Sequence, residues 1–345
     1  YITLFYIPSK APFDMYYADY RPGVKLYVKR VYITDDDKEL LPSYLRFVRG
    51  VIDSEDLPLN VSREILQQNR VMSAIRTASV KKLLGEFQKI SDQNPELYAK
   101  FIEQFNRPLK EGLYSDYANR DALLELVRFK SSSEEGYVSL ASYKERMKAD
   151  QKAIYYIAGG KESTLKASPL LEAYRKKGYE VLVMSDDIDD IVVGSIGTYK
   201  ELPLKAINKS GAVDDLKEEG DKEKSKESKG LIKKIKKALG DRVKDVVASS
   251  RLVQSPAVVV VDENDPSVQM QQILKSMGQA DDQEIKPILE INVDDPMVKK
   301  IENSDDDSYI EELCSVLLDQ ALLAEGVMPK DPVAFTKKLH SLLSR

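Results

Sequence analysis

Two short apolar runs, AIYYIA at residues 153–158 and YEVLVM at 179–184, leave the chain between them little freedom of fold. The first is rich in Ile and Tyr, the second in Val, and both are too short for a helix, so each reads as a buried strand. The joining stretch holds a turn at Gly159 and Gly160, then SPLLEAYRKKG, a helical pattern closed by Gly178 in the C′ position. Glycine suits that position because it takes a left-handed backbone without steric cost. Strand, helix and strand in this order imply a parallel pair joined by a right-handed crossover.

Upstream, YITLFYIP, VKLYVKRVYI (24–33) and YLRFVRGVI (44–52) read as strands, with DDDKE as the turn between the last two. Ser62 is placed to cap a helix whose apolar positions, among them Ile65, Met72, Ile75, Val80, Leu83, Phe87 and Ile90, form one core-facing stripe. Asn94 ends that helix and Pro95 opens the next, ELYAKFIEQF. Residues 108–150 have weaker periodicity and are expected to form short helices and coil. Apolar residues nearly vanish in DDLKEEGDKEKSKESKG (214–230), a boundary or an exposed connector. Beyond it lie the helix GLIKKIKKALG, the strand PAVVVV, the helix DPSVQMQQILKSMG, the strand KPILEINV and three closing helices, a smaller α+β unit. The expected domains are residues 1–228 and 229–345; the first divides into 1–107, 108–150, 151–213 and the connector 214–228.

The chemistry available is narrow. One histidine, His340, and one cysteine, Cys314, argue against histidine metal clusters, disulfide frameworks and nucleophile–histidine triads. A net charge of −5 gives no reason to expect nucleic-acid binding. No apolar run approaches the roughly 20 residues that span a bilayer, and no signal-peptide pattern is present, so neither a membrane nor secretion is expected. The first residue, Tyr1, already falls in YITLFYIP, which reads as a buried strand, and this suggests a fragment of a longer protein.

Several motifs have two readings. AGGKEST (158–164) evokes a phosphate loop, but Glu162 stands where the hydroxyl should follow the lysine, so a strand-to-helix turn is expected. DDIDD (186–190) lacks the frame of a calcium loop and reads as a solvated loop with Ile188 and Ile191 tucked beneath it. GLIKKIKKALG reads as a surface helix with a solvated basic face. In DPSVQMQQILKSMG, Met270, Ile273, Leu274 and Met277 cover one side of a short helix; they either pack on neighbouring strands or meet varied apolar partners.

YIEELCSVLLDQALLAEG (309–326) is apolar around nearly its whole circumference and must be buried all round. The expectation is a symmetric partner, with helices 309–326 and 331–343 forming a four-helix interface through Leu313, Leu317, Leu318, Leu322, Leu339 and Leu342. An intramolecular hairpin is the alternative. In SEDLPLNVSREILQQNR (54–70), Arg63 sits at a helix start, where the helix dipole favours anions. It either pairs with Glu55 or Asp56, or is held out beside Asn60 and Gln67 to meet an anion supplied from elsewhere. Gln67 shares its helical face.

LYVKRVYI, LLPSYLRFVRGVIDSEDLPLNVSREILQQN and SPLLEAYRKKGYEVLVMSDDID closely resemble the middle segment of the heat-shock protein 90 family of molecular chaperones in its bacterial form. LLDQALLAEG resembles the family's C-terminal dimerisation domain. The resemblance covers essentially the whole chain. It implies a multidomain α/β and α+β fold: an αβα middle domain of two αβα layers joined by a helical coil, then a small α+β dimerisation domain ending in a helical bundle.

The implied function is ATP-dependent remodelling of partly folded client proteins by a homodimeric clamp in the cytoplasm. ATP and magnesium would be held by an upstream GHKL-type domain, so this fragment alone would not hydrolyse ATP. Arg63 would act as an arginine finger on the γ-phosphate, Gln67 beside the attacking water, and Asn60 as holder of the loop. Met270, Ile273, Leu274, Met277, Asp190 and Ile191 would lie on client surfaces. Three departures are visible. SLLSR lacks the MEEVD-type tail, so no tetratricopeptide co-chaperone is expected; Ile191 stands where some bacterial relatives have tryptophan; and Pro266 replaces a second methionine. The competing reading is a non-catalytic dimeric scaffold.

Overall fold

The computed structural model describes residues 1–35, 40–57, 70–216, 226–267, 270, 271, 274 and 285–344. It divides into two compact units, one of residues 1–128, 139–141 and 191–196, the other of 129–138, 142–190 and 197–345. The boundary near residue 228 remains a proposal.

In the first unit, strands β1 (Ile2–Tyr6), β2 (Gly23–Val28), β3 (Val31–Thr34) and β4 (Arg49–Ser54) form one sheet in the order β1-β4-β2-β3. The single strand expected over 24–33 is instead a hairpin. Lys29 and Arg30 adopt φ of 51° and 67° and turn the chain, and Val28 pairs with Val31 across it. Ser54 and Asp53 of β4 hold the turn by accepting from the backbone N–H of Lys29 (3.1 Å) and Arg30 (3.2 Å). Lys-Arg carries no glycine, so alternating apolar residues on either side masked it.

The strand expected over 44–52 also divides. Tyr44 and Leu45 lie in a short 3-10 turn and only residue 49 onward is extended. That break turns Phe47 into the core, where its ring stacks on Phe105 at 4.3 Å and meets Phe87 and Phe101. Gly50 is fixed by a close approach, since a Cβ there would stand 2.0 Å from the carbonyl oxygen of Leu4. The DDDKE turn lies largely outside the described residues.

Helix α1 (Arg70–Gln93) buries Met72, Ile75, Val80, Leu83 and Phe87, the stripe read from the sequence; its expected start at Ser62 and Ile65 lies outside the described residues. Helix α2 (Pro95–Ser115) begins as expected, with the Asn94 side chain accepting from Leu97 N–H at 3.1 Å. It then runs on through Pro108, because Leu109 and Leu113 continue the buried face. Helix α3 (Arg120–Leu126) closes against it.

The second unit holds β5 (Phe129–Ser131), β6 (Tyr137–Val138), β7 (Ile154–Ala158), α5 (Glu162–Ala167), α6 (Glu172–Lys177) and β8 (Val181–Met184). Helix α4 (Leu140–Arg146) lies between β6 and β7 in sequence, and α7 (Asp189–Ile196) follows β8. With β9 (Thr198–Tyr199) and β10 (Leu202–Ala206) the strands form one sheet, β6-β5-β8-β7-β10-β9. β7 and β8 pair in parallel, Tyr155 opposite Val181, and Gly178 ends α6 at φ 69°, both as the sequence requires.

Helix α8 (Lys229–Leu239) precedes a three-stranded sheet, β11-β13-β12, of β11 (Asp245–Ala248), β12 (Ala257–Val260) and β13 (Ile288–Ile291). β12 is apolar throughout because both faces are covered. Ala257 and Val259 join a core with α8 and the last helices, while Val258 and Val260 join the core around Tyr155 and Tyr174. Helices α9 (Pro296–Asn303), α10 (Asp307–Ala324) and α11 (Pro332–Leu343) close the chain, each capped by an aspartate side chain, Asp295, Asp306 and Asp331. Among the described residues, no helix is long and apolar enough to cross a membrane.

Candidate functional site

The closing helices carry the clearest surface feature. In α10, Leu313, Cys314, Leu317, Leu318 and Ala321 are buried within the chain, against α8 and the adjoining sheet. No partner is needed to bury them, because the second unit encloses this face itself with a sheet as the wall that a lone hairpin lacks; the expected place of Leu313, Leu317 and Leu318 in a dimer interface is a proposal. Each such leucine contributes about 1.5–3 kcal/mol to folding. Leu322 and Leu342 are half-buried on the same core.

What remains uncovered lies on the outer side. Val333 is 63% exposed, Leu339 37% and Leu343 79%, and α11 has no fully buried residue. Its position is set by polar ties. Ser315 Oγ on α10 accepts from Lys338 Nζ (2.8 Å) and Arg242 Nη1 (2.9 Å), and Arg242 also pairs with Asp319.

A second set of ties holds the three-stranded sheet to the layer beneath it. Glu172 accepts hydrogen bonds from the backbone N–H groups of Val253 (2.6 Å), Gln254 (2.7 Å) and Ser255 (3.1 Å), and from Ser255 Oγ. Burial works against its charge, but these donors prevail and hold the carboxyl below its ordinary pKa. Arg251, wholly buried, donates to the carbonyls of Ile207 and Lys209 and to Glu290. Glu290 can meet it because alternation along β13 turns that side chain away from the core that receives Leu289 and Ile291.

The acidic run is partly ordered, contrary to the solvated loop expected. Asp189 is buried, accepts from Asp186 N–H at 3.0 Å and opens α7. Burial raises the pKa of Asp190, and Lys209 opposes that shift. Ile188 is buried as expected, whereas Ile191 is 58% exposed. Met270 and Leu274 are helical and half-buried, and Met270 N–H donates to Ser267 Oγ at 3.1 Å. Ile273 and Met277 lie outside the described residues, as do Asn60, Arg63 and Gln67.

Sequence reasoning missed a cavity in the first unit. It measures about 310 Å³ and is lined by Met15, Tyr16, Tyr20, Leu40, Arg46 and Glu111 among others. Arg46 forms a two-pronged pair with Glu111, at 2.5 and 2.8 Å, and its guanidinium faces the Tyr16 ring at 5.0 Å. The available signal was FDMYYADY, four aromatic residues crowded between two prolines, which no strand or helix period explains.

A profile of the Hsp90 protein family matches residues 1–345. The chain is 58% identical to the chaperone protein HtpG of Treponema denticola over 352 aligned residues, covering all of this chain and 55% of that protein. It is 57% identical to the chaperone protein HtpG of Treponema pallidum and 54% identical to that of Wolinella succinogenes, with 55% and 56% of those proteins covered. The chain thus spans about half the length of the curated relatives it matches.

Proposed function

The chain belongs to the Hsp90 family, and from that premise we propose that it is the part of a dimeric, ATP-driven molecular chaperone that supplies a catalytic arginine, client surface and dimer interface. The observation that carries this reading is the 58% identity to a chaperone over the entire chain. The uncovered apolar residues of α11 support self-association, as does their continuity with a well-packed core.

In the full-length protein, ATP and magnesium belong to a domain outside this chain. The task of these residues is to bring a guanidinium, Arg63, to the γ-phosphate, with Gln67 positioning water and Asn60 holding the loop. Charge neutralisation by such a finger is worth roughly 10³–10⁵ in rate in GTPases; a smaller factor applies where slow domain closure limits turnover. Non-native proteins are the clients, met at Ile191, Met270 and Leu274, and the compartment is the cytoplasm. A protein of this kind needs no membrane or nucleic-acid contact.

The test is Arg63→Ala in the full-length protein. ATP turnover collapses while nucleotide affinity stays near that of the parent. Unchanged turnover rejects the finger role and leaves a non-catalytic dimeric scaffold as the better description.

A further inference from the structure

The cavity of about 310 Å³ in the first unit lies between residues 15–24, the segment 40–48 and Glu111 on α2, all within that one unit. Its floor is apolar and fully buried, made by Met15, Val24, Leu40, Leu45 and Val48. Its rim is aromatic. Tyr16 and Tyr17 stand exposed at the mouth, and the buried ring of Tyr20 lies with them along the wall. The volume falls in the range of small-ligand pockets.

The polar groups on the walls decide whether a ligand here should carry charge. Arg46 is already committed: Nε donates to Met15 O at 3.1 Å, Nη1 to Ser43 O at 2.9 Å, and the two prongs of the fork reach both carboxylate oxygens of Glu111. A face of the guanidinium is turned to the Tyr16 ring. Tyr20 Oη donates to Arg46 O at 3.2 Å and accepts from Arg49 Nη2 at 3.0 Å. An anion entering the cavity must take Arg46 from Glu111, and a cation must take Glu111 from Arg46. Either exchange strands one charge of a largely buried pair. A neutral, apolar molecule disturbs none of these bonds and gains from the area that it and the floor remove from water.

Shape then selects among neutral molecules. Tyrosine rings offer a further ring edge-to-face and offset-stacked contacts that an aliphatic body of equal size does not make. Met15 adds a polarizable thioether, which also favours aromatic neighbours.

We propose that this cavity binds a small, uncharged, planar aromatic molecule, seated on the Met15, Val24 and Val48 floor and flanked by the rings of Tyr16, Tyr17 and Tyr20.

The test is a fluorine NMR titration of the full-length protein at pH 7.5 with four probes of similar size. Fluorobenzene is neutral and flat, 4-fluorobenzoate is an anion, 4-fluorobenzylammonium is a cation, and fluorocyclohexane is neutral but neither flat nor aromatic. Fluorobenzene is expected to saturate with a dissociation constant on the order of 1 mM, with both charged probes at least ~10-fold weaker and fluorocyclohexane several-fold weaker. Ala18 lines the cavity at an exposed position, so Ala18→Phe crowds the mouth without entering the core and abolishes fluorobenzene binding. Tyr17→Ala, at a position 61% exposed, weakens it several-fold and leaves urea unfolding unchanged. Should Ala18→Phe alter unfolding, Tyr17→Ala decides. The proposal is overturned by no saturable binding of fluorobenzene, by a charged probe or fluorocyclohexane binding as tightly, or by fluorobenzene affinity undiminished in the deciding variant.

Discussion

The Arg251 guanidinium and the Glu290 carboxylate form an ion pair with no solvent exposure on the arginine side. Nη2 donates to Oε1 at 2.9 Å, and Nε lies 2.9 Å from Oε2, a charge contact rather than an aligned hydrogen bond. The remaining donors reach the carbonyls of Ile207 and Lys209, so one side chain joins β13 to the segment after β10. Removing a single partner leaves an uncompensated buried charge. Arg251→Ala therefore costs about 3–5 kcal/mol in denaturant unfolding, and Arg251→Met with Glu290→Leu costs less than either single change. A double variant as unstable as Arg251→Ala would show that the carbonyl contacts, not the ion pair, dominate.

Glu172 grips the 253–255 loop through three backbone donors and a hydroxyl. Glu172→Ala leaves those donors to water or unsatisfied, and about 1–3 kcal/mol of stability is lost. Because the folded carboxyl has a depressed pKa, its contribution is present above the unfolded value near 4.5 and disappears as pH falls through the folded one. Hydrogen exchange at Val253 and Gln254 is the direct readout, and unchanged protection in the variant counts against this role.

Glu325 has the opposite sign. Its folded pKa is raised from 4.5 to about 7, so the folded state holds a proton that the unfolded state has released. Stability therefore falls as pH rises from about 4.5 to 7, by an amount on the order of 3 kcal/mol, then levels off. Glu325→Gln, neutral at every pH, removes this slope in paired urea titrations across pH 5–8. Parallel curves for parent and variant would refute it.

Cys314 lies in the core of the second unit, and burial pushes its thiol up to about 12. The thiolate needed for alkylation is scarce and inaccessible in the folded protein. Iodoacetamide labelling should track global unfolding, rising steeply only in denaturant; rapid labelling of the native protein would contradict the packing described.

Val333 and Leu339 are exposed on α11 while Leu342 packs on the core. Charges at the first two positions spare the fold and disrupt association. Val333→Glu with Leu339→Glu is expected to weaken the dimer by at least ~10-fold in sedimentation, with unfolding unchanged. A parent protein that sediments as a concentration-independent monomer would remove the dimer proposal altogether.

Much of the architecture was legible from neighbouring residues. The 153–184 crossover, the Asn94-Pro95 helix junction and the α1 stripe each depend on contacts within a turn or on a simple period. The errors share one cause. Lys29 and Arg30 make a turn without the usual turn residues, held by Asp53 and Ser54 from a distant strand. α2 passes Pro108 because packing outweighs the lost hydrogen bond. Of the candidate site, the closing helices were legible as apolar, but not which leucines their own unit would cover.

The sequence by itself determined the periods, the caps and the chemistry excluded by a single histidine and a single cysteine, since these are properties of near neighbours and composition. Only the tertiary structure decided that Leu313, Leu317 and Leu318 meet a sheet of the same unit, that Arg251 finds Glu290 and that Ser168 reaches Glu325 across 157 positions. Side-chain patterns encode which face must leave water. What that face meets is fixed by the collapse of segments far apart along the chain, where shape and buried charge together select the neighbour.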